Sequence, residues 1–386
     1  VDAPPDRTAV PAVAATYALQ GLGYAVVVTA LPSFQSGHDL DATVVAVILL
    51  GVCVTAALGS VLADVVAVRC GSRSAVRVGF ILQVAGLVVA ALSPSTVLFV
   101  VAVAVYGLGL GAVDASSNMQ GVLVERRTGR PALGRFFAAY TVGAIAGALA
   151  MSAALAVAVG AIATLLVAAV LQLLFVLSVA PRLDGSRAAR PPRGSREPSS
   201  EPLPRARIVA LGLAVLAAFT VDSGVSTWSS VHLTALGVAA AVAPLGYAVY
   251  QAGVLIARLV TDPITRRIGR AGAAIGGVVV GVVGGVVVGL GLGPAATVTG
   301  FGLSGLAVGV LVPVVFGAAG DVLPERSDEV VARVNLFNYA GALVGAVGVG
   351  ALIDGIGPVA FLIPAVVLVA ALPAARTMHR QASRVR

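Results

Sequence analysis

The sequence predicts an all-α integral membrane protein of twelve transmembrane helices in two pseudo-symmetric six-helix bundles. Three observations predict it: too few charges to cover a globule in water, twelve apolar stretches of bilayer-spanning length, and arginines confined to alternate loops. Of 386 residues, 59% are hydrophobic and 11% charged, and the mean hydropathy is +1.02. A soluble chain is typically about a quarter charged. A soluble enzyme, a disordered chain and a disulfide scaffold are therefore excluded, and most of the surface must face lipid.

An apolar layer about 30 Å thick needs about 20 residues of helix. The stretches fall near 11–32, 43–65, 75–93, 97–122, 135–157, 159–180, 208–230, 236–260, 273–292, 296–319, 332–352 and 357–375. They are continuous runs of Val, Ala, Leu and Gly, unlike the short alternating strands of a membrane barrel. A helix satisfies its own backbone in lipid, so the β-branched content is no obstacle.

All 25 basic residues are arginine. With the N-terminus in the cytoplasm, every one lies on the cytoplasmic side: Arg7, three between spans 2 and 3, four between spans 4 and 5, seven from Arg182 to Arg207, four at the span 8–9 junction, two at the span 10–11 junction and four in the tail. The opposite loops carry Asp39, Asp41, Asp354, His38 and His232. This is the positive-inside pattern. It places both termini in the cytoplasm of a bacterial inner membrane. The net charge of +8 is thus a topology signal that also favours anionic lipid, not a nucleic-acid footprint. No leader with a cleavage site opens the chain. Cys53 and Cys70 form no metal spacing.

The segment 181–207 is rich in Pro, Arg and Ser and reads as a cytoplasmic linker. It separates a bundle at 1–180 from a bundle at 208–376, with a basic tail at 377–386. Shifting the first half by 198 positions superposes Asp64 on Asp262, Arg69 on Arg267, Gly71 on Gly269, Gly79 on Gly277, Gly86 on Gly284, Gly107 on Gly305, Gly111 on Gly309 and Arg135 on Arg333. Parallel six-span repeats are the mark of a two-bundle transporter whose site lies between its halves.

The segments GLGLGAVDASSNMQGVLVERRTGRPALGRFFAAYTVGAIAGA (107–148) and ARLVTDPITRRIGR (257–270) resemble the major facilitator superfamily. The resemblance covers nearly the whole chain, and within the superfamily it is similar to the fucose-permease-like and uncharacterised inner-membrane branch. It implies a transporter without fixing a substrate. Three positions depart from the family pattern. Val68 stands where the first cytoplasmic loop commonly has aspartate, with Asp64 one turn earlier. Tyr106 stands where some members have arginine. Gly143 and Gly147 lack the proline of many antiporters.

A charge at the membrane centre costs about 2.5–3.5 kcal/mol on insertion scales, so polar residues inside spans are candidates for a substrate or proton pathway. Asp222 shares a face with Ser226 and Ser229 in span 7; its repeat partner is Tyr24, on a face with Tyr17 and Gln20. It either lines a cavity or lies near the outer interface. Asp114 shares a face with Asn118 in span 4. A carboxylate in low dielectric can take up a proton near neutral pH, which suits coupling; the other reading is an ion pair with a rim arginine such as Arg135. Tyr140, Tyr247, Gln251, Asn335, Asn338 and Tyr339 either line the cavity or join helices by hydrogen bonds. Trp228 reads as an interface anchor. Asp64, Arg69, Arg135, Arg258, Asp262 and Arg267 form a candidate cytoplasmic gate, supported by the resemblance; the other reading is charge anchoring.

The glycine runs are not phosphate loops, because no strand precedes them. Gly277, Gly281, Gly285, Gly289 and Gly293 recur every fourth position, as in a packing ridge. Without lysine there is no P-loop, so this chain does not use ATP. His38, His232 and His379 are scattered, and no catalytic or metal motif occurs. The sequence therefore predicts a non-enzymatic secondary transporter of a small neutral or amphiphilic solute, proton-coupled, without cofactor, metal or nucleic-acid partner. Specific drug or metabolite efflux, and a non-transporting sensor of the same fold, stand as alternatives.

Overall fold

The computed structural model describes residues 9–128, 132–185, 203–323 and 327–377. Most of the predicted linker (186–202) and the tail beyond 377 lie outside the described residues. Among those described, the regular elements are all helical. They are α1 (Ala9–Thr29), α2 (Leu31–His38), α3 (Ala42–Cys70), α4 (Ser72–Leu92), α5 (Thr96–Thr128), α6 (Leu133–Ala156), α7 (Gly160–Ser178), α8 (Arg205–Ala235), α9 (Pro244–Gly289), α10 (Pro294–Gly320), α11 (Ser327–Leu343), α12 (Val349–Ile356), α13 (Leu362–Ala370) and α14 (Leu372–Thr377).

Ten helical stretches among the described residues are long and apolar enough to cross a membrane. Two are about double length. The 46 residues of α9 comprise two helices that meet at a break. They join predicted spans 8 and 9 across Gly269, whose φ of 75° interrupts the helix. The stretch Arg333–Ala374, of 42 residues, joins spans 11 and 12 through a π turn at Val344–Gly348 and a 3-10 turn at Gly357–Phe361. Span 8 starts at Pro244, not at 236. Residues 236–243 form turns, because Gly237 adopts a φ of 77° and Pro244 favours the first turn of a helix.

The chain divides into two compact units, Val1–Asp39 with Ile48–Ser200 and Leu40–Val47 with Glu201–Arg386. In the first unit α1 packs on α6, and α4 packs on α5 and α7. In the second, α8 packs on α11, and α9 on α10 and α13. Within lipid, burial removes no surface from water, so close backbone approach at small residues holds helices together.

The internal repeat extends to these contacts. A Cβ on Gly107 or Gly111 would strike the backbone of α3 at Val52 and Ala56; one on Gly305 or Gly309 would strike α9 at Tyr250 and Val254, each 198 positions on. Gly86 meets Ala102 and Tyr106, and Gly284 meets Gly300 and Ser304. Gly143 and Gly147 meet Ala18 and Leu22 on α1, and Gly341 and Gly345 meet Leu216 and Thr220 on α8. Both units therefore use one packing scheme at one register. Gly71 (φ 89°) breaks the chain between α3 and α4 at the position that Gly269 occupies in α9.

The predicted glycine ridge is only partly a ridge. Gly277 and Gly281 pack on α10, while Gly281, Gly285 and Gly289 pack on α13 and its start. Gly293 instead precedes α10 with a φ of 100° and open space around it, so it is a turn glycine. The most lipid-like surface belongs to α3, which buries 17% of its apolar window against 61% for α1 and α8. Val47, Val54, Leu58 and Val61 project outward from α3.

Candidate functional site

In the first unit α1 and α5 bring four of the predicted residues together. The Tyr17 hydroxyl donates to Asn118 Oδ1 at 2.7 Å. Gln20 Nε2 donates to Asp114 Oδ1 at 2.8 Å and to the Leu110 carbonyl at 3.2 Å. The spacing explains the match: Asp114 and Asn118 are one turn apart on α5, as Tyr17 and Gln20 are on α1. Asp114 and Asn118 are exposed, whereas Tyr17 and Gln20 are buried. Asp114 therefore takes an amide as its partner, not the Arg135 guanidinium. Tyr17 is held from behind by rings of α6, stacked on Phe136 at 5.6 Å and edge-on to Phe137 at 5.5 Å.

Two residues absent from the sequence reading extend this cluster inward. Gln83 Nε2 on α4 donates to Gln20 Oε1 at 2.6 Å, and Gln172 Nε2 on α7 donates to Gln83 Oε1 at 2.9 Å. Both interrupt apolar runs, ILQVAG and VLQLLF. That interruption is the signal that could have found them.

Toward the C-terminal end of α5, Glu125 Oε1 accepts from the backbone N–H groups of Ala132 and Leu133 at 2.7 and 2.9 Å. This satisfies two of the open donors at the start of α6, where the helix dipole favours negative charge. Gln120 holds the chain after α7 by bonding both the carbonyl and the N–H of Asp184, at 2.8 and 3.0 Å. Arg127 pairs with the Asp184 carboxylate at 2.5 Å.

In the second unit the carboxylate has phenol partners. The Tyr250 hydroxyl on α9 donates to Asp222 Oδ1 on α8. Gln251 Nε2 donates to the Tyr247 hydroxyl at 2.7 Å. The two tyrosine rings lie 6.2 Å apart. Arg258, two turns along α9 from Tyr250, acts electrostatically on both Asp222 and Tyr250. Asp222 is half-buried, and Tyr247, Tyr250, Gln251 and Ser226 are buried. Tyr250, three residues after Tyr247, is a further member that the sequence reading did not single out.

The remaining candidates are less closely joined. Tyr24 and Tyr140 are half-buried on the packed pair α1 and α6; Asn335 and Asn338 are half-buried on α11, and Tyr339 is exposed. Asp64, Arg69, Arg135, Asp262 and Arg267 are exposed. Among the described residues neither Asp64 nor Asp262 forms an ion pair. The pairs of the two loop regions are Arg127 with Asp184 and Arg270 with Asp321. Trp228 is not an interface anchor. It is fully buried, and its indole N–H donates to the Ala346 carbonyl at 2.7 Å. That carbonyl lies in the π turn, where the altered backbone pattern leaves room for a side-chain donor.

Comparison with known proteins places this architecture. The family model described as Major Facilitator Superfamily matches residues 13–302. An uncharacterised MFS-type transporter of Yersinia pestis is 27% identical over 336 residues, covering 86% of this chain and 85% of that one. The membrane protein MosC of Rhizobium meliloti is 24% identical, covering 98% and 92%. Among solved structures, a bacterial homolog of the human lysosomal transporter Spinster aligns with a TM-score of 0.74 over 98% of each chain, at 13% identity. The nucleoside transporter NupG aligns at 0.74 over 96% and 99%, also at 13% identity. The E. coli fucose:proton symporter FucP aligns at 0.66 over 97% and 99%, at 14% identity. At such identities the structural likenesses speak for the fold alone. With a family match over most of its length, an all-helical membrane architecture and one glycine packing scheme used twice, this chain belongs to the Major Facilitator Superfamily of membrane transporters.

Proposed function

We propose that this protein is a proton-coupled secondary transporter, moving a small neutral or amphiphilic solute across the bacterial inner membrane by alternating access. The observation that carries the proposal is the pair of hydrogen-bonded carboxylates inside apolar helices, Asp114 on α5 and Asp222 on α8. Carboxylates in such segments are costly and are retained where a proton or ion is handled.

Their surroundings divide the labour. Asp114 is exposed and has a neutral amide as its partner, so nothing positive beside it holds it ionised, and it is the proton carrier. Asp222 has a phenol donor and the Arg258 charge near it, and both act in favour of its ionised form. Tyr17, Gln20, Asn118, Tyr247, Gln251 and Ser226 are the polar groups available to a solute. Asp64, Arg69, Arg135, Asp262 and Arg267 act as cytoplasmic gate groups whose contacts differ between access states. Arginines confined to alternate loops support cytoplasmic termini.

The test is an untargeted comparison of small molecules in cells and medium, with wild type, Asp114→Asn and Asp222→Asn. A compound that changes side only with the wild type identifies substrate and direction together. A compound still accumulated against its gradient by Asp114→Asn removes the carboxylate from coupling. No difference for wild type across a broad compound set turns attention to a sensor role.

A further inference from the structure

The first unit contains a chain of hydrogen bonds that the transport reading leaves without a role. From Asp114 it passes to Gln20 on α1, Gln83 on α4 and Gln172 on α7, over 2.8, 2.6 and 2.9 Å. All three amides are shielded: Gln83 and Gln172 are 0% exposed and Gln20 is 2% exposed. An ionised carboxylate only accepts hydrogen bonds, while an amide has one donating and one accepting end. Asp114, together with the Leu110 carbonyl, thereby sets the orientation of Gln20, which sets Gln83, which sets Gln172. Each amide points its NH₂ toward Asp114. The chain ends on a defect, because Gln172 Oε1 is buried and has no hydrogen-bond partner among the described residues.

Buried polar atoms are almost always paired, and an exception calls for a reason. A second arrangement of the same atoms shifts this defect from the Gln172 carbonyl to its NH₂. When Asp114 carries a proton on Oδ1, its O–H can donate to Gln20 Oε1. Gln20 Nε2 then donates to Gln83 Oε1, and Gln83 Nε2 to Gln172 Oε1. Gln172 Oε1 then has a donor, the unpaired position at the end of the row passes to the Gln172 NH₂, and the second bond from Gln20 to Leu110 is given up. The two ends of an amide are close in size and its terminal torsion is two-fold, so the reversal needs no repacking of helices.

We propose that Gln20, Gln83 and Gln172 form a relay that reverses direction when Asp114 takes up a proton, making Gln83 and Gln172 positioning residues of the proton site. The proton comes from water on the side to which Asp114 is open, and the relay passes on an orientation, not the proton. It carries the charge state of α5 through α1 and α4 to α7, which packs on α4. Other ionisable groups near the carboxylate are few. Tyr17 on α1 feels Asp114, and Glu125 along α5 acts through Tyr17. From α3 and α4 this turn of α5 meets Gly59, Ser60 and Gly79, none of them titratable. Gly23 offers an independent handle, because a Cβ there would press on Gln172 Nε2 beside its bond to Gln83.

The proposal rests on Asp114 as the proton carrier, and infrared difference spectroscopy across a pH step separates the two ideas. The full-length protein is prepared with ¹³C at the glutamine side-chain carbonyl. Wild type is expected to show a carboxylic acid band absent from Asp114→Asn, together with label-sensitive glutamine bands over the same pH range. Gln172→Leu and Gly23→Ala are expected to lose those glutamine bands and keep the carboxylic acid band. A wild-type Asp114 band without label-sensitive glutamine bands overturns the relay and leaves the proton carrier standing. So do glutamine bands that survive both substitutions. Absence of any band that Asp114→Asn removes overturns both. The labelled wild type is decisive even if a substitution prevents folding.

Discussion

The two units share a scaffold but place different chemistry on it. In the first, α1 and α5 meet through Gln20 and Asp114, and neutral amides run from the carboxylate into the bundle. In the second, α8 and α9 meet through Asp222 and Tyr250, with Arg258 supplying positive charge nearby. The glycines at which helices of each unit approach one another match at one offset. Duplication thus preserved backbone contacts, where an added Cβ has no room, and left polar side chains free to diverge. A neutral amide beside a carboxylate permits a change of charge. A guanidinium opposes it.

The largest expected effect breaks the asymmetry at its centre. Asp114→Asn should leave substrate exchange across the membrane but abolish accumulation against a gradient, read in proteoliposomes with an imposed pH difference. Asp222→Asn should instead depress exchange and accumulation together. Equal phenotypes for the two would erase the distinction drawn between them.

Tyr250→Phe comes next, because it removes a donor from a charged acceptor, a bond generally worth about 1.5–3 kcal/mol. The expected result is a lower midpoint of thermal unfolding in detergent, with a smaller shift for Tyr247→Phe, whose hydroxyl is bonded to the neutral Gln251 amide. The shared scaffold can be tested by Gly111→Ala and Gly309→Ala, which push a methyl group against equivalent carbonyls of α3 and α9. Overpacking of this kind costs about 1–3 kcal/mol, and the two losses should be alike in a folding assay. Markedly unequal losses would show that the repeat does not extend to energetics. The smallest effect is expected for Trp228→Phe, which keeps the ring packing and leaves the Ala346 carbonyl without its donor. Here about 1 kcal/mol of stability is at stake, visible as a small drop in unfolding temperature.

Legibility in the sequence followed cost. Asp114 and Asp222 stood out because charge inside an apolar run is expensive, and their same-face neighbours Asn118 and Ser226 followed from helical spacing. Gln83 and Gln172 were passed over because a neutral amide interrupts a hydrophobic run far less sharply. Trp228 was misread because aromatic residues near span ends usually mark the membrane interface; its true partner, a carbonyl in a π turn 118 positions away, leaves no local trace. Spans 8 and 9, counted separately on composition, are two helices that meet at Gly269, whose φ of 75° breaks the helical backbone.

The sequence by itself determined the solvent, the helical class, the arginine asymmetry and the register of the repeat. Each is a property of composition or of spacing along one chain. Tertiary structure alone decided which polar side chains meet, because every bond of the two clusters that joins different helices links residues 28 to 101 positions apart. It also decided the direction of the amide chain. A glutamine can face either way, and the acceptors at the head of the row, the Asp114 carboxylate and the Leu110 carbonyl, select one.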